Sequence, residues 1–183
     1  MDDQVKNILK TSYLNQNEAK NQFQQMGFLY DKDLSTNESK VFVDKKGNPN
    51  IVFRGTVPRR TKDLVSDLSI VTGLEGVNPR FKESKDLTKE VERKYQKPAN
   101  VYGDSLGGTI AERSGALGKI VTHNKGTGFF DIGKTIPKKQ TDYRNTNDVV
   151  SLLSLTQNHL YNNLVQNKTG KSELDILGNH QIL

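Results

Sequence analysis

Gly103-Asp104-Ser105-Leu106-Gly107-Gly108 stands between Ala99-Asn100-Val101-Tyr102 and Thr109-Ile110-Ala111-Glu112-Arg113. The three pieces read as strand, tight turn and helix. A Gly-x-Ser-x-Gly at such a junction is the setting of a nucleophile elbow. Glycines on both sides of the serine let the backbone turn sharply and bring strand and helix close. The hydroxyl is left at a helix N-terminus, where free N–H groups and the helix dipole favour negative charge. A glycine-rich turn ahead of a helix has the same letters. The nucleophile reading therefore requires a histidine, an acid and oxyanion donors elsewhere in the chain.

Outward from the elbow, the chain alternates strand-like and helix-like runs. Residues 99–102, 106–117 and 119–122 give β-α-β, which implies adjacent parallel strands joined by a right-handed crossover. Upstream, 41–43 and 50–54 are β-like runs separated by Asp44-Lys45-Lys46-Gly47-Asn48-Pro49, which has hairpin chemistry. Residues 5–28 read as one helix, with Ile8, Leu9, Tyr13, Phe23 and Met26 as buried positions and Gly27 as its stop. Residues 61–71 form an amphipathic helix with apolar Leu64, Val65, Leu68 and Val71. Residues 81–95 form a charged surface helix. Residues 31–39 and 124–141 read as connections, and 141–145 and 149–153 as short strands. The polar tail from 157 onward carries no clear pattern. An α/β fold with a mostly parallel central sheet flanked by helices is the expected class, as a single domain over 1–183.

The chain has 183 residues, 33% of them hydrophobic, with 27 basic and 21 acidic residues and a formal charge of +6. Its mean hydropathy is −0.71, so the surface is strongly polar. The positive balance suits an anionic surface such as phospholipid headgroups, and equally a plain solvated exterior. Basic runs are as short as Lys45-Lys46, Arg59-Arg60 and Lys138-Lys139, so no nucleic-acid partner is expected. The absence of cysteine excludes disulfides and cysteine-based metal or redox sites. Met1-Asp2-Asp3-Gln4-Val5-Lys6 lacks a basic segment followed by an apolar run, so no signal peptide is expected. No stretch approaches the ~18 apolar residues of a membrane span. A protein soluble and cytoplasmic at synthesis is expected, and any membrane contact is peripheral.

Three histidines follow the elbow: His123, His159 and His180. His123 follows the strand beside the elbow strand and precedes every plausible acid, so it reads as structural or surface. His159 lies in polar Gln157-Asn158-His159, 11 residues after Asp148, and reads as a surface residue. His180 stands on the C-terminal tail. The acids after the elbow include Asp131, Asp142, Asp148 and Asp175. Asp148 precedes Val149-Val150 at a strand edge, a setting for an orienting acid and also for a turn aspartate.

Ile51-Val52-Phe53-Arg54-Gly55-Thr56, Asp63 to Leu68, Gly103 to Gly108 and Arg144-Asn145-Thr146-Asn147-Asp148-Val149-Val150 occur in an order that resembles the class 3 lipases. These are α/β-hydrolases that include fungal triacylglycerol lipases and related phospholipases. The resemblance covers residues 23–183, and in its reduced size the chain is most similar to short viral and phage lipase-like proteins. It implies an α/β-hydrolase fold, hydrolysis of lipid carboxylic esters, no cofactor and no metal. Ser105 matches the nucleophile, Asp148 the triad acid, and His180 the C-terminal triad histidine, with Ile182 two residues on. Thr56 and Leu106 match the residues whose backbone N–H groups form the oxyanion hole; such donors are each worth about 10²–10³ in rate. Leu64, Val65 and Leu68 match a lid helix, against the alternative of a helix packed permanently on the core. A soluble-ester or polysaccharide esterase of the same fold, and a catalytically silent binding or virion-associated module, are the alternatives the resemblance leaves. Asp104 departs from the family, which commonly has histidine before the nucleophile. The intervals are also short, 43 residues from Ser105 to Asp148 and 32 from Asp148 to His180.

Overall fold

The computed structural model describes residues 1–56, 78–128, 131–148 and 150–168. The 61–71 helix, with Leu64, Val65 and Leu68, lies outside the described residues, as do Asp175 and His180.

The protein is an α/β structure built on one seven-stranded, mostly parallel sheet in sequential order. β1 (Leu29–Asp31), β2 (Ser39–Val43) and β3 (Pro49–Phe53) are antiparallel neighbours. β3, β4 (Asn100–Asp104), β5 (Ile120–His123), β6 (Gln140–Asn145) and β7 (Leu164–Asn167) run parallel. Between β2 and β3, Asp44 Oδ1 accepts from the N–H groups of Lys46 (2.8 Å) and Asn48 (2.9 Å), and Gly47 takes the left-handed conformation that closes the turn.

Helices α1 (Asp3–Thr11), α2 (Gln16–Gln25), α3 (Pro79–Tyr95) and α4 (Leu106–Arg113) cover the sheet. Strand alternation divides the apolar residues between two cores. Val41, Ile51, Phe53, Val101 and Ile120 pack with Phe81 and Val91 of α3 and with Leu106, Ile110 and Ala111 of α4. Phe42 and Val52 pack on the other face with Ile8 and Leu9 of α1 and Ala19 and Phe23 of α2. The Phe23 and Phe42 rings stack at 4.3 Å. Each parallel strand adds on the same side of the last, so crossovers of one hand fall on one face. α1 and α2 precede the sheet and cover the opposite one.

The 5–28 segment is two helices rather than one. Asn15 breaks it with a capping box: its Oδ1 accepts from Asn17 N–H and Glu18 N–H, both at 3.0 Å, and Glu18 returns a bond to Asn15 N–H. The elbow helix ends at Arg113, short of residue 117. In place of the expected 149–153 strand, residues 150 and 151 form a turn leading into a 3-10 helix at Leu152–Thr156, with Ser151 bonding back to Asp148 instead of to a neighbouring strand; Val149 lies outside the described residues. β1 and β7 had no pattern to read: one has three residues, and the other is a four-residue edge strand with no buried residue. α3 presents charge outward as expected, but Phe81, Ser84, Thr88 and Val91 are buried. Among the described residues, no helix is long and apolar enough to cross a membrane.

Candidate active site

Ser105 sits between the last residue of β4 and the first of α4 with φ 54° and ψ −124°. A non-glycine residue rarely adopts this region, at a cost of about 1–3 kcal/mol. The surroundings hold it there. Ser105 N–H donates to the His123 carbonyl at 2.9 Å, and its own carbonyl accepts from Gly108 N–H at 3.0 Å. The flanking glycines have a packing reason as well. A Cβ on Gly103 would overlap the Gly107 carbonyl, and one on Gly107 would overlap the Phe53 carbonyl. The helix start is thereby pressed between the ends of β3 and β4.

That wedge brings the 54–56 turn against the nucleophile. A Cβ built on Gly55 would lie 3.1 Å from Ser105 Cβ. Thr56, the first expected oxyanion donor, follows directly. Leu106, the second, is the first residue of α4, so its N–H lies outside the helix's own hydrogen-bond ladder. Ser105 is 1% exposed, and its Oγ has no hydrogen-bond partner among the described residues.

Asp148 follows β6 at the same C-terminal sheet edge and is fully buried. Its Oδ2 accepts from Ser151 N–H at 2.8 Å and from the Ser151 hydroxyl. Arg144 shapes this loop by donating to three carbonyls: Thr146 at 3.1 Å, Asp148 at 3.0 Å and Ser151 at 3.3 Å. The other described acids serve elsewhere. Asp131 pairs with Arg113 at 2.6 Å, and Asp142 with Lys125 at 2.7 Å. Lys125 is 2% exposed and also pairs with Glu112, forming a charged core under α4. Burial alone pushes the Glu112 carboxyl up, but Lys125 and Lys134 overcome it and hold the group at about 2.

Of the two readings of His123, structural or surface, the surface one does not hold. The residue is fully buried, with Nδ1 2.7 Å from Asp104 Oδ1 and Nε2 3.3 Å from Asn145 Oδ1. Both ring nitrogens are thus engaged away from Ser105. His159, read as a surface residue, is half-buried, with Nε2 3.2 Å from the Ser154 carbonyl and Nδ1 4.0 Å from Asp142.

Sequence reasoning gave Asp104 no partner. The carboxylate is held by His123 on one oxygen and by Tyr13, whose hydroxyl donates to Oδ2 at 2.6 Å, on the other. The His123 pairing had a signal. In the predicted β-α-β unit, residues 104 and 123 follow adjacent parallel strands, and in the structure they lie directly opposite in the register. Tyr13 is 91 residues from Asp104 and had none. Compared with known proteins, the chain matches no family model, no curated protein and no solved structure.

Proposed function

We propose that this protein is a serine hydrolase of the α/β-hydrolase kind, in one domain over 1–183, that cleaves carboxylic esters of lipids. The observation that carries the reading is the strained Ser105 backbone at a strand–helix junction, at the C-terminal edge of a parallel sheet. A fold does not hold a serine in that conformation for packing, since glycine adopts it freely.

In the proposed reaction Ser105 Oγ attacks the ester carbonyl carbon while His180 takes the hydroxyl proton. The N–H groups of Thr56 and Leu106 hold the oxyanion of the tetrahedral intermediate. The intermediate collapses, the bond from carbonyl carbon to alcohol oxygen breaks, and His180 returns its proton to the leaving alcohol. Water then attacks the acyl-enzyme by the same route and releases the carboxylic acid and Ser105. Asp148 fixes the His180 tautomer and stabilises the imidazolium. By the resemblance, Leu64, Val65 and Leu68 are the proposed lid face, which suits action at a lipid surface. The +6 charge favours an anionic phospholipid surface over a neutral one.

Fatty-acid release from anionic and zwitterionic phospholipid vesicles, beside hydrolysis of a short soluble ester, tests the reading. We expect vesicle turnover to exceed soluble-ester turnover, with anionic vesicles fastest. Ser105→Ala is expected to lower it by at least about 10³-fold. Folded wild-type protein inert on all three contradicts the hydrolase reading and leaves the silent module. Activity confined to the soluble ester supports the esterase alternative. Equal rates on the two vesicle types remove the role given to charge.

A further inference from the structure

We propose that Tyr13 is a positioning residue for the reaction at Ser105, fixing the oxyanion turn relative to the nucleophile elbow. The inference rests on the hydrolase reading and adds a residue to it.

Tyr13 lies in the short turn between α1 and α2, where Tyr13 N–H bonds to the Lys10 carbonyl. From there the phenol reaches the sheet edge and joins two segments distant in sequence. Its hydroxyl donates to Asp104 Oδ2 at 2.6 Å, and its oxygen packs directly against Gly55. The approach to Gly55 is so close that a Cβ there would strike the phenol oxygen. Burial first, and the Asp104 charge second, push the Tyr13 phenol well above its ordinary value, so it stays a neutral donor to the carboxylate.

The phenol completes a ring of restraints. Gly55 is packed against the Tyr13 hydroxyl, Tyr13 is bonded to Asp104, Asp104 to His123, and the His123 carbonyl holds Ser105 N–H at 2.9 Å. The residue after Gly55 is Thr56, and the residue after Ser105 is Leu106. The two proposed oxyanion donors therefore each follow a residue that the ring holds. Oxyanion donors act only when held within about 0.5 Å of their working positions. Asp104, in the position before the nucleophile, is then the anchor of this strut rather than a charge acting on substrate.

Steady-state kinetics on phospholipid vesicles with full-length Tyr13→Phe test this. The variant keeps the ring that packs in the turn and removes only the hydroxyl. We expect kcat about 10- to 100-fold below wild type with KM changed by less than about twofold, since a donor misplaced by 1 Å costs about that much. Asp104→Asn is expected to lower kcat in the same range, and Tyr13→Phe/Asp104→Asn to be no slower than the slower single variant within about threefold. A folded Tyr13→Phe with kcat within twofold of wild type overturns the proposal. So does a rise in KM at constant kcat, or two additive losses. If Tyr13→Phe does not fold, Asp104→Asn decides: wild-type kcat there overturns the strut. Wild-type protein without ester turnover brings down the hydrolase reading and this proposal together, whereas active wild type with unchanged variants removes Tyr13 alone.

Discussion

At the scale of single residues, the elbow is a conflict between conformation and side chain. Ser105 occupies backbone space in which glycine is comfortable, and it keeps its hydroxyl. Ser105→Gly is therefore expected to be more stable than Ser105→Ala by about 1 kcal/mol, once strain relief is set against the greater unfolded freedom of glycine. In ordinary backbone the order is the reverse. Urea unfolding of the two variants measures the difference, and equal midpoints contradict the strain. Gly103→Ala places a methyl against the Gly107 carbonyl, where backbone has to shift. A loss of at least about 1–3 kcal/mol is expected, read from the same unfolding curves. The motif glycines were legible in the sequence because their requirement is local. Tyr13 was not, because its partners Gly55 and Asp104 come together only after the sheet has formed.

Among the elements, α4 joins the proposed chemistry to an unusual core. Its first residues make the elbow, and its Glu112 side chain is buried against Lys125 and Gln140, with the exposed Lys134 pairing from outside. With only 33% hydrophobic residues, the chain fills this part of its interior with paired charge. Glu112 titrates at about 2 in the folded protein against an ordinary 4.5. A lowered folded value means that the pair stabilises the fold above about pH 4.5 and that this contribution is lost as pH falls toward 2. It amounts to at most about 3 kcal/mol. Chemical denaturation between pH 6 and 3 is expected to show wild type losing stability faster than Glu112→Gln; parallel curves contradict the assignment. Lys125→Met leaves Glu112 and Asp142 buried beside an apolar side chain. It is expected to cost about 3–5 kcal/mol in urea unfolding. The sequence located the central elements well, because β2, β3, β4, β5 and α4 each carry an apolar pattern or turn chemistry that local reading detects. It merged α1 with α2 because the break rests on the Asn15 cap and not on a helix-breaking residue.

For the whole molecule, the C-terminal edge of the parallel strands is where the parts meet. β3 delivers the 54–56 turn, β4 delivers Ser105, β5 ends in His123 and the β6 loop carries Asp148. The order of motifs along the chain anticipated that assembly, since sequential parallel strands place successive loops side by side. What the order did not convey is how the space between those loops is filled: His123 is fully buried in a polar network, where the sequence left it open between structural and surface roles, and His159, read as a surface residue, is half-buried against the Ser154 carbonyl. The proposed base, His180, rests on the sequence resemblance alone. The central claim is an activated serine, and a fluorophosphonate probe reads it directly, because the reagent bonds only to a serine whose proton is being withdrawn. Incubation of the full-length protein with the probe, followed by mass spectrometry, is expected to give one adduct on Ser105. The adduct is expected to be absent in Ser105→Ala, lost in His180→Ala and kept in His159→Ala. A folded wild-type protein that takes up no probe contradicts the account.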